Sequence, residues 1–236
     1  MWQFYSGEYK PIELLNKNKM SSVYLVENTF TGSLFVLKKI YKYTEASSVL
    51  SVEADILKKL SHPSLPCIYD IAEDSDGYYL VMDYIDGLPL SKVLNLTDKI
   101  SNSTAINWAK QIVSALIYLH SIKPYPIIHS DLKPSNIILT SENKIKLIDF
   151  GISREYKSDT TQSDICMGTK GYAAPEQYLS SKIDARADIY SFGVTLDRIT
   201  TDKSKQLSKV IAKCTMQNPS ERYQTAKKLL SDLSKR

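Results

Sequence analysis

The 236-residue chain is long enough for one large core or two small lobes, and leaves no room for a further domain beside them. Hydrophobic residues at 43% and charged residues at 24% exclude extended disorder. The net charge of +4 carries no dominant Lys/Arg cluster, only pairs such as Lys38-Lys39 and Lys227-Lys228 that read as solvated faces, so nucleic acid is not an expected partner.

From the N-terminus, Met1 to Lys10 lacks the basic start and apolar stretch of a signal peptide, and no later run approaches the about 20 apolar residues of a membrane span. Val23-Tyr24-Leu25-Val26 and Leu34-Phe35-Val36-Leu37 read as strands flanking a Thr31-Gly32 turn. Between Glu45 and Leu60 the apolar residues Val49, Val52, Ile56, Leu57 and Leu60 follow helical spacing, and Ser61-His62-Pro63 ends the helix. Tyr78 to Ile85 is a further strand, broken by Asp86-Gly87. Beyond it the pattern turns helical. Ser103 is placed to cap a helix with Ile106, Ala109, Ile112, Val113, Leu116 and Leu119 on one face. Further helices are expected at Asp184 to Ile199, Leu207 to Cys214 and Thr225 to Leu233. Cys67, Cys166 and Cys214 form no CxxC and suit a reducing, cytoplasmic setting.

Two strings carry the chemistry. His129-Ser130-Asp131-Leu132-Lys133-Pro134-Ser135-Asn136 follows the apolar pair Ile127-Ile128, and Asp149-Phe150-Gly151 follows Ile145 to Ile148. One carboxylate can orient a hydroxyl nucleophile, and the other, with Asn136, can hold a divalent cation on a polyphosphate. A single Asp or Asn in a loop is most often a turn former. That bland reading does not account for two motifs of this length, order and separation.

From Leu15 to Arg222 the chain resembles a protein kinase, specifically the compact bacterial (eukaryotic-like) serine/threonine type. The resemblance implies an α+β bilobal fold in a single domain over 1–236: a β-rich N-lobe over about 1–84, a hinge at about 83–87, and a helical C-lobe over about 88–236, with ATP between the lobes. It implies that Lys38 pairs the α- and β-phosphates and that Glu53 holds it extended, that Asp131 accepts or orients the substrate proton, and that Lys133 neutralises the transferred phosphoryl group. Asn136 and Asp149 become ligands for Mg²⁺, with Mn²⁺ as an alternative. Asn16, Asn18, Ser21, Val23, Val36, Met82, Asp83, Ile85 and Ile138 become the nucleotide pocket. Thr169, in Gly168-Thr169-Lys170-Gly171-Tyr172-Ala173-Ala174-Pro175-Glu176, would bridge Asp131 and Lys133. Asp188 would prop the catalytic loop, and Arg222 would pair with Glu176.

Three departures stand against that pattern. Asn16, Asn18 and Ser21 replace the three glycines of the phosphate-covering loop, which predicts a looser lid and weaker ATP binding. Ser130 replaces the arginine that receives an activation-loop phosphate, so phosphorylation at Ser158, Thr160, Thr161 or Ser163 loses its anchor. The stretch from Gly193 to Arg222 is too short for the family's substrate-docking helix, which favours a compact substrate or a dedicated partner protein. The expected function is ATP-dependent phosphorylation of protein Ser/Thr hydroxyls, the chain's own included. The alternatives are a pseudokinase that signals by conformation, opposed by the complete charged set, and a small-molecule phosphotransferase, opposed by the intact segment from Gly168 to Glu176.

Overall fold

The computed structural model describes residues 8–42, 53–97, 99–156, 168–179 and 183–235. The expected helical positions 45–52, Cys166, and Ser158, Thr160, Thr161 and Ser163 lie outside the described residues. The chain divides into two compact units, one from Met1–Ser61 with Pro66–Ile85 and one from His62–Leu65 with Asp86–Arg236.

The first unit is built on an antiparallel sheet of β1 (Tyr9–Lys17), β2 (Ser21–Asn28), β3 (Leu34–Tyr41), β4 (Ile68–Glu73) and β5 (Gly77–Asp83), in the order β1-β2-β3-β5-β4. The β2–β3 turn contains Gly32 at φ +71°, a conformation that glycine adopts without a Cβ penalty. Residues 53–57 form helix α1. The alternation of β3 sets the sheet's two faces. Phe35 and Leu37 point to the side of Tyr9, Val26, Tyr79 and Val81, an apolar cluster. Lys38 points the other way, opposite Val23 on β2 and Leu80 on β5, and Val36 lies opposite Met82 on that same side. The register therefore puts Lys38, Val23, Val36 and Met82 on one face.

The second unit is mainly helical, with α2 (Leu90–Leu96), α3 (Asn102–Ser121), α4 (Ala185–Ile199), α5 (Lys205–Cys214) and α6 (Ala226–Leu233). Two small antiparallel sheets join β6 (Gly87–Pro89), β8 (Ile137–Thr140) and β9 (Ile145–Leu147), and β7 (Ile127–Ile128) with β10 (Arg154–Glu155). Helix α3 buries Ala105, Trp108, Ala109, Ile112, Val113, Ala115, Leu116 and Leu119, and packs against α4 and α6. Its cap is Ser101 rather than Ser103: the Ser101 hydroxyl accepts from Thr104 N at 3.1 Å. The helix starts two residues earlier than its large apolar residues suggest, because the small Ala105 already faces the core. Asp184, Ser204 and Thr225 cap α4, α5 and α6 in the same way. Between α4 and the 3-10 turn at Pro219–Glu221, α5 is the one α-helix, as the short spacing predicts. Gly193 brings α4 close to α5, since a Cβ there would lie 2.4 Å from that of Cys214.

Candidate active site

In the first unit, Lys38 Nζ lies 2.8 Å from both Glu53 oxygens. The carboxylate is 2% exposed and the lysine 12%, so this pair is screened by solvent far less than a surface bridge. Asn18 organises the β1–β2 turn, because its Oδ1 accepts from the N–H groups of Met20 and Ser21, each at 2.8 Å. Neither Asn16 nor Asn18 has a positive φ; among the described non-glycine residues only Ser130, Asn143 and Asp149 do. Asn18 thus stands in for glycine by using side-chain hydrogen bonds, not left-handed backbone. Asp83 uses its side chain within the unit, accepting from Cys67 N at 2.8 Å and Tyr69 Oη at 2.9 Å. Ile85 closes the unit's second segment.

In the second unit, Asp131, Lys133, Asn136 and Thr169 form one hydrogen-bonded cluster. Lys133 Nζ is 2.6 Å from Asp131 Oδ2 and 2.6 Å from Thr169 Oγ1. The Thr169 hydroxyl donates to Asp131 Oδ1 at 2.6 Å. Asn136 Nδ2 donates to Asp131 Oδ2 at 2.9 Å and to Asp131 O at 3.0 Å. Oδ2 of Asp131 thus accepts from both Lys133 and Asn136, whereas these contacts give Oδ1 a single donor. Since each carboxylate oxygen accepts about two hydrogen bonds, Oδ1 is the atom positioned to take another hydroxyl. Asn136 spends its NH₂ on Asp131, which leaves its Oδ1 as the acceptor, a hard oxygen suited to a divalent cation alongside a carboxylate. Ile148 N donates to Asn136 O at 2.9 Å, so the loop bearing Asp149 is stitched to the one bearing Asn136. Ile138 lies on β8, two residues beyond Asn136.

The loop carrying Asp131 is held from beneath. Asp188, fully buried on α4, accepts from His129 N and Ser130 N at 2.9 Å each, and His120 Nε2 donates to it at 2.9 Å. Burial opposes its ionisation, but the bonds from His120 and His129 outweigh that and hold its carboxyl below the ordinary range. Thr195, two turns along α4, donates to Leu132 O at 3.3 Å. Ser130 at φ +68° and Asp149 at φ +64° are L-residues in the left-handed region, which costs about 1–3 kcal/mol each and persists only where the surroundings enforce it. Glu176 and Arg222 make a bidentate link at 2.6 and 2.8 Å. Gln177, which the motifs did not single out, hydrogen-bonds Ser130 O at 2.9 Å. Its one sequence signal is a Gln three residues into a Pro-initiated turn, the position of a capping-box side chain.

Residues 9–233 match the protein kinase domain family. The chain is 31% identical over 205 residues, 84% of its length, to a probable serine/threonine-protein kinase PknB of Lactococcus lactis, covering 32% of that protein. It is 27% identical to the serine/threonine-protein kinase PrkC of Bacillus subtilis over an alignment that takes in 97% of the chain and 40% of that protein. The PknB of Mycolicibacterium smegmatis is 32% identical over 77% of the chain, with 34% of the relative covered. The chain therefore spans about a third to two-fifths of the length of these curated relatives. Among the described residues no helix is long and apolar enough to cross a membrane.

Proposed function

Because the chain belongs to the protein kinase domain family, we propose that it transfers the γ-phosphoryl group of ATP to Ser/Thr hydroxyls of proteins, itself included, as a cytoplasmic kinase domain. The observation that carries the reading is the cluster of Asp131, Lys133, Asn136 and Thr169, all linked at 2.6 to 3.0 Å. Asp131 Oδ1 orients the attacking hydroxyl and takes its proton, and Lys133 neutralises charge on the group in flight. Lys38, held straight by Glu53, neutralises the donor's phosphates, and Val23, Val36 and Met82, on the same face of the sheet, offer the base an apolar surface. The backbone of Asp83 to Ile85 supplies the polar contacts to that base. Asn136 Oδ1 and the Asp149 carboxylate would hold Mg²⁺, which would supply charge neutralisation for the phosphates. Incubation of the protein with labelled ATP, followed by mass spectrometry, should find phosphate on its own Ser or Thr residues. Label confined to free small molecules, or none, refutes the proposal.

The hairpin tip and Ser130 each carry an expected outcome. Because Asn18 already occupies the N–H groups of Met20 and Ser21, phosphates gain fewer backbone donors there than over a glycine-rich turn. ATP–Mg²⁺ at millimolar concentration is therefore expected to raise the melting temperature, with little effect at micromolar concentration; no shift at either level contradicts this. Ser130 is 1% exposed and carries no cation for a phosphate. Replacing Ser158, Thr160, Thr161 and Ser163 together by Ala is accordingly expected to leave activity within about twofold of wild type, since no charge-assisted anchor is lost. A large drop in the measured rate would show that loop phosphorylation is required. The short link before α5 supports a compact substrate or a dedicated partner protein.

A further inference from the structure

We infer that Gln177 is a positioning residue for phosphoryl transfer, fixing the peptide plane that leads into Asp131; the inference rests on the kinase reading above. Gln177 is 1% exposed and uses both ends of its amide. Its Oε1 accepts from Ala174 N at 2.9 Å, which is local capping of the 3-10 turn Pro175–Tyr178. Its Nε2 donates to Ser130 O at 2.9 Å, forty-seven positions away along the chain. Capping accounts for the first bond and not for the second.

That second bond falls on a critical atom. The carbonyl of Ser130 belongs to the peptide unit whose nitrogen is that of Asp131. The unit is planar and rigid, so fixing its oxygen fixes the direction in which the Asp131 chain continues. Ser130 sits at φ +68°, a strained conformation that something must enforce. Asp188 holds its N–H at 2.9 Å and Gln177 holds its C=O, so the residue is gripped on both sides. Gly168 packs on the same amide: with φ +146°, it leaves space that a Cβ would take, 3.0 Å from Gln177 Nε2 and 2.5 Å from Ala173 Cβ. Gly168 adjoins Thr169, whose hydroxyl meets Asp131 Oδ1. The segment containing Thr169 and Gln177 thus reaches Asp131 twice, once at its side chain and once through its backbone. Both partners in the Gln177–Ser130 bond are neutral, so this link operates without any modification.

The test compares wild type with Gln177→Leu and Gln177→Glu in phosphotransfer kinetics, thermal melting and hydrogen exchange over residues 129–133. Loss of the donor is expected to lower kcat by about 10²-fold, the scale of a small misplacement near the reacting atoms, with KM for ATP within about twofold. Exchange over 129–133 should quicken in the Leu variant. The Glu variant adds a signature that bulk packing does not give. As a carboxylate it keeps the acceptor for Ala174 N but faces Ser130 O without a proton; protonated, it regains a donor. Its rate relative to wild type should therefore rise as pH falls from about 7.5 to 5.5, into the range where a buried Glu titrates. A Leu variant with wild-type kcat, or a Glu-to-wild-type ratio flat across that range, overturns the inference. If wild type itself transfers no phosphate, the kinase reading fails, and exchange alone then decides: unchanged rates over 129–133 in the Leu variant overturn the role of Gln177.

Discussion

Replacing Asp149 by Ala should reduce phosphotransfer by about 10³-fold or more while the protein stays folded. The expectation follows from the work proposed for the carboxylate. Within its own loop the carboxylate accepts from Gly151 N at 3.3 Å, a local bond that an Asn in its place can also accept. Its proposed work is to hold the divalent cation, and removing one preorganised electrostatic contributor of that kind costs on the order of 10²–10³ in rate or more. The backbone adds a separable effect. Asp149 lies at φ +64°, where Asp and Asn are tolerated better than Ala, so the Ala variant also loses about 1 kcal/mol of stability. Asp149→Asn keeps that tolerance while removing the charge. Both variants should be inactive in an assay of labelled phosphate incorporation, and Asn should melt closer to wild type. Activity within tenfold of wild type in either would remove Asp149 from the proposed cation site.

The largest stability effect is expected at Arg222. Its guanidinium uses five donors: Nε to Met216 O at 2.8 Å, two to the Glu176 oxygens, and one each to Arg186 O and Gln217 O at 3.0 Å. The ring of Tyr190 lies 4.8 Å from the guanidinium carbon. Arg222→Met removes the charge from a side chain with no exposure and leaves the buried Glu176 carboxylate without its guanidinium. Breaking a buried pair from one side costs about 3–5 kcal/mol, against a typical total of about 5–15 kcal/mol. Urea unfolding should record that loss. The double variant Glu176→Met/Arg222→Met should recover part of it, because two apolar groups do not strand a charge. A single variant within about 1 kcal/mol of wild type refutes the assignment of this pair as structural glue.

The two motif loops were legible because their chemistry is local. Asp131, Lys133 and Asn136 lie within six residues of one another, so their clustering needs little of the rest of the fold. Thr169, Asp188 and the Glu176–Arg222 pair were legible only through resemblance to the kinase family, since nothing in their spacing brings them together. Strand β1 escaped the sequence reading because eight of its nine residues are exposed, so the usual alternation of burial is missing. The cap at Ser101 escaped because two serines two residues apart are equally good caps, and a small alanine decides between them. Asn18 was visible as a departure from glycine, but its effect comes from a carboxamide that turns back on its own strand connection. Gln177 had a visible local role, and its distant partner depends on tertiary packing that no short window encodes.

Helix α4 carries Asp188 and Thr195 seven residues apart on one side, and these two pegs fasten the stretch from His129 to Leu132 to a rod running through the second unit's core. The loop therefore has no softening point of its own. On heating, catalytic competence should persist up to the temperature at which the rod itself gives way, so that inactivation and cooperative melting coincide rather than activity fading first.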